Sequence, residues 1–357
     1  MENFNVPQAY HTREQALVKH SLLQSYLEKL LLIMGAASQS RSGVELCYVD
    51  CFAGPWQDDS EAMESTSIAI SLRTLEACRQ KLEKNGHRVK MRALYIEQDA
   101  NAYARLERYL NENAPRTITS SCLKGDFVQL RDDILRWVGN GPFCFFFVDP
   151  KGWTEVGVST LEPLLRRPKS EFLINLMYDF VNRTMSIGDR KADMTDLLGE
   201  PLDLEGLSPQ ERESQIIQTY RRNLKVRLPS SNPRFPPRAA HVQVLDPQKN
   251  RTKYHLVYLT SHPSRLLKYS PYKRRGFPLQ GSRLAIFHNL EAGRPYIDFF
   301  GGLAPDSGLI TAITATADGF VPVSACARGC RRPCSARTSG RLASVHAPSP
   351  GACARQS

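Results

Sequence analysis

The sequence predicts an α/β fold built on an open, doubly wound, mostly parallel Rossmann-like sheet. Three observations predict it. Strand and helix patterns alternate five times over about 130 residues from Val44 onward. The strand segments are apolar along their length instead of at every second residue. Acidic residues stand where those segments end. Alternation of this kind is the sequence form of βαβ units, and a strand reads as uniformly apolar when helices cover both faces of its sheet.

The elements follow in order. Residues 13–34 form an amphipathic pattern, with Leu17, Leu23, Tyr26, Leu27, Leu30 and Leu31 at helical spacing. SQSRSG breaks it, and VELCYVDCFAGP (44–55) reads as a buried strand running into a turn. Residues 61–84 look helical, KMRALYIEQD (90–99) is a second strand, and 100–113 is a helix with Ala102, Leu106 and Leu110 on one face. TITSSCLKGD (117–126) is a third strand and 127–138 a helix. PFCFFFVDP (142–150) has the composition of a central strand, and SEFLINLMYD (170–179) follows a helix over 156–166. Right-handed crossovers place the carboxyl ends of parallel strands along one edge. Asp50, Glu97 with Asp99, Asp126, Asp149 and Asp179 therefore gather there.

The expected organisation is an N-terminal helical segment (1–40) packing on the core, a cofactor-binding core (41–182), a helical and Pro-rich insertion (183–250), final core strands (251–302) and a disordered tail (303–357). The insertion carries SPQERESQIIQTYRRNL (208–224) and LPSSNPRFPPR (228–238). The sheet is expected to resume with 253–261 and 282–289. Beyond about Gly302 the chain turns to Ala, Ser, Arg, Pro and Cys, which cannot bury enough apolar surface to offset its ordering entropy.

Composition excludes several classes. With 357 residues and 41% hydrophobic content, the chain can build a sizeable core. It carries no apolar run of roughly 18 residues, so no membrane span is expected. Its polar, acid-bearing start is unlike a secretory signal, and a cytoplasmic location is expected. The net charge is +11, but six arginines between Gly319 and Ser357 supply much of it; without them +5 remains. Charge is thus weak grounds for a nucleic-acid partner. Cys47, Cys51 and Cys144 lie in apolar strands, where Cys behaves as a small hydrophobe. Cys326, Cys330 and Cys334 share a CxxxCxxxC spacing, but in an Arg/Pro-rich segment with no following fold they read as incidental and not as a metal site.

Four strand ends carry candidate chemistry, each with a plainer alternative. Asp50-Cys51-Phe52-Ala53-Gly54-Pro55-Trp56 is a small-residue turn that lets backbone approach a ligand, or an ordinary tight turn. Glu97 can accept both hydroxyls of a ribose, whereas Asp99 suits a helix cap. Asp126 beside Phe127 suits an adenine amino group and ring, or caps the next helix. Asp149-Pro150 holds a carboxylate outside a very apolar strand with Trp153 near, or is a strand-ending turn. The basic clusters Arg166-Arg167-Pro168-Lys169 and Lys268–Arg275 suit a nucleic-acid backbone, or are solvated surface.

Taken together, YVDCFAGPW, the acid of YIEQD, the Asp of KGDF, FVDPKGW and YHLVYLTSHP (254–263) resemble the Rossmann-type S-adenosylmethionine-dependent methyltransferases. Within them the set is most similar to the bacterial three-Cys-motif partner proteins, over roughly residues 10–290. That resemblance implies that Asp50, Phe52, Ala53 and Gly54 line the methionine part of S-adenosylmethionine. It implies that Glu97 holds the ribose and Asp126 with Phe127 the adenine. By the same resemblance Asp149, Pro150 and Trp153 would be catalytic, with the carboxylate accepting hydrogen bonds from a target amino group of nucleic acid and no metal required. It further implies a separate three-cysteine-motif partner protein and a bacterial defence or mobile-element setting. Trp56 and Lys151 depart from the family pattern and favour a degenerate fold acting as an interaction module; the intact Asp149-Pro150 favours an enzyme. Another nucleotide-binding Rossmann protein is disfavoured, because GxGxxG is missing after the first strand.

Overall fold

The computed structural model describes residues 14–36, 43–54, 63, 65–185, 191–230, 236–246, 251–261, 283–288, 296–301 and 314–317. Its elements in chain order are α1 (Glu14–Ala36), β1 (Val44–Asp50), α2 (Ser67–Lys84), β2 (Val89–Glu97), α3 (Ala100–Asn113), β3 (Ile118–Lys124), α4 (Arg131–Val138), β4 (Phe143–Val148), α5 (Val158–Leu165), β5 (Ser170–Leu176), α6 (Tyr178–Met185), α7 (Lys191–Leu198), α8 (Pro209–Arg227), β6 (Arg238–Asp246), β7 (Arg251–Thr260), β8 (Arg283–His288), β9 (Tyr296–Gly301) and β10 (Thr314–Ala317). Helix starts are set by local chemistry. Thr66 caps α2, Asp99 caps α3, and Ser208 with Glu211 forms a capping box on α8, where Pro209 opens the helix.

The main sheet runs β10-β6-β7-β5-β4-β1-β2-β3. Strands β3, β2, β1, β4 and β5 pair in parallel, and β7 is antiparallel to both β5 and β6. This is a doubly wound, mostly parallel Rossmann-like sheet. Alternate residues of each central strand serve opposite layers. Leu46, Tyr48, Tyr95, Phe145 and Phe147 pack with Leu23, Leu27 and Leu30 of α1 and Leu75 of α2. Cys47, Val49, Phe146, Phe172 and Ile174 pack with Ile134, Leu161 and Ile216 of α4, α5 and α8. Both faces are covered, and every residue of β4 and β5 is buried.

Three expectations need adjusting. Arg238–Asp246, assigned above to the insertion, is a strand of the main sheet, with His241 and Val242 opposite Val257 and Leu256. Strand β8 does not resume that sheet; it pairs antiparallel with β9 in a separate two-stranded one. The place beside β7 is already taken by β6, which the dominating prolines of 228–238 obscure in the sequence. Of the segment expected to be disordered, Thr314–Ala317 is described and pairs antiparallel with β6. The remainder of 303–357, including Cys326, Cys330 and Cys334, lies outside the described residues, as do Trp56 and Lys268–Arg275.

One buried acid interrupts the apolar strands. Glu171 of β5 is fully buried and accepts hydrogen bonds from Tyr26 of α1, Tyr258 at 2.9 Å and Thr260 at 2.7 Å, both of β7. Burial pushes its pKa from 4.5 up to about 7, against the pull of the three hydroxyls. A carboxyl whose folded pKa is raised binds protons better folded than unfolded. Its contribution is therefore complete below pH 4.5 and is lost as pH rises through about 7. Buried His241, held down to about 2, acts in the opposite sense below pH 6.5, so two proteins must be compared and not one slope read. Glu171→Gln is expected to remove a pH-dependent loss of about 3 kcal/mol between pH 4.5 and 7.5. Urea unfolding of both proteins across that range checks it; parallel stability curves would refute the assignment.

Candidate functional site

The site is built around the turn that leaves β1. Cys51 N donates to Phe147 O of β4 at 2.9 Å, and Ala53 N donates to Ile96 O of β2 at 2.8 Å. The turn is thus bonded to both neighbouring strands, and Gly54 N folds back on Phe52 O at 3.0 Å. In register, Asp50 lies opposite Tyr95 and Phe147. Glu97 and Asp149 each stand two residues further on, one on either side of the turn. By strand alternation, Asp50, Glu97, Asp149 and Asn175 all belong to the face covered by α1 and α2.

Asp50 is the buried post of this arrangement, with no exposed surface. Its oxygens accept from Ser67 Oγ at 2.6 Å, Phe52 N at 3.2 Å and Tyr48 Oη at 3.3 Å. Burial pushes its pKa up to about 7, and the nearby charge of Asp149 adds to the rise. Asp50 therefore fixes the turn from below, and its oxygens are engaged with the protein itself.

Glu97 closes β2 and is 4% exposed. Its Oε1 accepts from Asp99 N at 2.7 Å, which aims the carboxyl along the edge. Burial raises its pKa, while the Asp99 and Gln98 amides and the Lys151 charge draw it down. Asp99 is the cap of α3, accepting from Asn101 and Ala102 amides. Glu97 O also receives Gly125 N at 3.0 Å, which ties the end of β3 to that of β2. Gly125 makes that turn at φ +148, a conformation that disfavours any side chain. Asp126 follows and accepts from Gln129 N at 3.1 Å, capping the turn before α4. Phe127 is 2% exposed, its ring 5.0 Å from that of Phe52. The two rings form a single wall beneath the turn, so the Phe127 face expected for a base is committed to the core.

Asp149 is engaged on both oxygens. Lys19 Nζ of α1 lies 2.5 Å from Oδ2, and Asn175 Nδ2 of β5 donates to Oδ1 at 2.7 Å. Pro150 is buried behind it. Trp153 corrects the sequence expectation: it is only 6% exposed and belongs to the core cluster with Val156, Val158 and Leu161. The turn Asp149–Gly152 carries the chain back under the strand end, where the large indole gains more from burial than from the cleft. The basic cluster 166–169 also falls away from this site. Arg167 is 3% exposed and donates to Gly139 O, Pro142 O and Ser170 Oγ around the amino ends of β4 and β5, at the opposite edge.

Sequence reading missed Lys19 and Asn175. Asn175 left a signal: it is the polar residue inside Phe172–Met177, an otherwise apolar run that is buried on both faces, and such a residue needs a partner. Lys19 belongs to the opening His11-Thr12, Lys19-His20 and Tyr26-Leu27, which also resembles the start of the three-Cys-motif partner proteins, but its spacing gives it no site role, because a lysine on an amphipathic helix ordinarily faces solvent.

A scan against protein-family models finds no match, and a search of curated proteins finds none. Solved structures with some likeness include the O-methyltransferase TomG from Streptomyces achromogenes in complex with S-adenosylmethionine. It is 11% identical over 73% of this chain and 92% of its own, with a TM-score of 0.37. An O-methyltransferase from Bacillus cereus with S-adenosylhomocysteine is 13% identical over 72% and 93%, TM-score 0.33. Protein LPL1258 from Legionella pneumophila is 10% identical over 68% and 84%, TM-score 0.35. The fold class rests on the strand order and directions given above. No helix among the described residues is long and apolar enough to cross a membrane.

The Lys19–Asp149 pair makes a stability prediction. Its side chains are 19% and 15% exposed, so removing the cation leaves a largely desolvated carboxylate. Lys19→Met is expected to cost about 1–3 kcal/mol, and much less in the background of Asp149→Asn. A double-mutant cycle by urea denaturation checks this, and additivity within about 0.3 kcal/mol would mean that the pair is not coupled.

Proposed function

We propose that this chain binds S-adenosylmethionine at the carboxyl edge of its sheet and methylates an amino group of a nucleic-acid base. The observation that carries the reading is the placement of Glu97 and Asp149 on either side of a turn hydrogen-bonded to both neighbouring strands. The residues present suit that cofactor. A carboxylate at the end of β2 accepts vicinal hydroxyls. The pinned backbone of Cys51–Gly54 admits close approach. In this reading Glu97 holds the ribose, Phe52, Ala53 and Gly54 line the methionine portion with Asp50 as their support, and Asp126 takes the adenine. When bound, the cofactor supplies an electrophilic methyl group on a sulfonium. Asp149 then orients the target amine by accepting an N–H, so that the nitrogen lone pair points at the methyl carbon, and no metal is required.

The resemblance of the motifs to the three-Cys-motif partner proteins supports a separate partner protein, and a bacterial defence or mobile-element role is part of the same proposal. A second reading is favoured by one observation: Lys19 and Asn175 already occupy both oxygens of Asp149. In that reading the chain is a catalytically degenerate methyltransferase fold that serves as an interaction module.

Two measurements test the proposal. Glu97→Ala and Gly54→Val are each expected to weaken S-adenosylhomocysteine binding at least tenfold, about 1.4 kcal/mol. Unchanged affinity in calorimetry of the folded variants would remove the cofactor assignment. Asp149→Ala is expected to abolish methyl transfer to nucleic acid with cofactor affinity nearly unchanged, and Asp149→Asn to retain part of it, since an amide oxygen still accepts. Transfer by the Ala variant at the wild-type rate would leave the interaction-module reading in its place.

A further inference from the structure

Asn175 has one amide atom accounted for and one not. Its Nδ2 donates to Asp149 Oδ1 at 2.7 Å and lies 3.4 Å from Met177 Sδ. Its Oδ1 is buried and has no hydrogen-bond partner, in a residue only 2% exposed. The amide cannot simply be turned over, because that would set its oxygen against the Asp149 carboxylate. Buried acceptors in native proteins are almost always satisfied, and one that is not calls for an explanation. This one stands beside Asp149, at the carboxyl end of β5, on the same face as Asp50 and Glu97.

We propose that Asn175 Oδ1 is a second acceptor for the target, so that Asp149 and Asn175 together read the two N–H bonds of a primary amino group. This rests on the methyltransferase reading above and deepens it. Lys19 then has a defined task as a positioning residue: it holds the Asp149 carboxylate in the orientation that aligns Asn175. Two adjacent acceptors match an NH2 group. A hydroxyl carries one hydrogen and leaves a buried acceptor unpaired, so the site discriminates against it. The nitrogen lone pair forms the new bond to the methyl carbon as the carbon–sulfur bond breaks. The sulfur keeps that electron pair as a neutral thioether, and the proton shed by nitrogen leaves to water. The product retains a single N–H and no longer satisfies both acceptors, so transfer stops at one methyl.

The test compares two ligands by calorimetry, without turnover. S-adenosylhomocysteine lacks any group at the methyl position. Sinefungin carries an amine there, in place of the sulfur-borne methyl, and so brings N–H donors to Asn175 and Asp149. Wild-type protein is expected to prefer sinefungin about tenfold. Asn175→Leu, or the smaller Asn175→Ala should Leu not fold, is expected to bind S-adenosylhomocysteine within about twofold of wild type and to lose most of that preference. Asn175→Gln, which keeps an amide donor for Asp149 as well as an acceptor oxygen, is expected to retain part of it. An undiminished preference in the Leu or Ala variant, with S-adenosylhomocysteine still bound, overturns the role of Asn175 and leaves the methyltransferase reading standing. Failure of the wild type to bind either ligand overturns that reading, and the role of Asn175 with it. Dimethylated product from the wild-type enzyme would also overturn the proposal.

Discussion

Burial of the central sheet on both faces is the constraint from which the rest of the molecule follows. Strands β1, β4 and β5 have helices above and below, so a polar side chain within them is either excluded or must bring its own partners. Phe143–Val148 obeys by being wholly apolar. Glu171 obeys by gathering three hydroxyls from α1 and β7. Elsewhere the polar groups are displaced to the strand ends, and right-handed crossovers put all those ends on one edge. The crowding of carboxylates there is thus a by-product of covering the sheet, which a ligand-binding site then uses.

Helix α1 links core and edge. Leu23, Leu27 and Leu30 lie against the sheet, Tyr26 reaches Glu171, and Lys19, two turns nearer the amino end, reaches Asp149. One rigid element therefore sets both a buried acid inside the sheet and an acid at its rim. The two edges of the sheet divide their labour. Arg167 knits the amino ends with carbonyl contacts, whereas the carboxyl ends keep Glu97 and Asp149 about the turn that leaves β1.

Much of this was legible in the sequence because periodicity reports burial directly. Uniformly apolar runs located β1, β2, β4 and β5, and the acids that end them located the edge. What escaped had a physical cause in each case. Strand β6 was hidden behind prolines, and its pairing with β7 is set by tertiary contact, not by local pattern. The sequence places Trp153 and Phe127 beside the cleft because their neighbours are there, yet side-chain direction after a turn is not encoded in spacing, and both are buried. The three roles imagined for Asp50 alone, Asp149 alone and their aromatic neighbours became a network only when Lys19, Ser67 and Asn175 arrived from 17 to more than a hundred residues away.

The partners of Glu171 have a consequence for how the chain reaches this structure. Tyr26 lies 145 residues from it in sequence, Tyr258 87 and Thr260 89. Contacts between such distant segments close large loops and reward the chain only after that entropy has been spent. The local βα units can assemble earlier, with Glu171 still hydrated and ionised on an open strand. Sealing it requires α1 and β7 to settle on the same carboxyl, one from before it in the sequence and one from after it. Closing the sheet over Glu171 is thereby coupled to the uptake of a proton below about pH 7, so the sealed sheet is favoured more in mildly acidic solution than in alkaline.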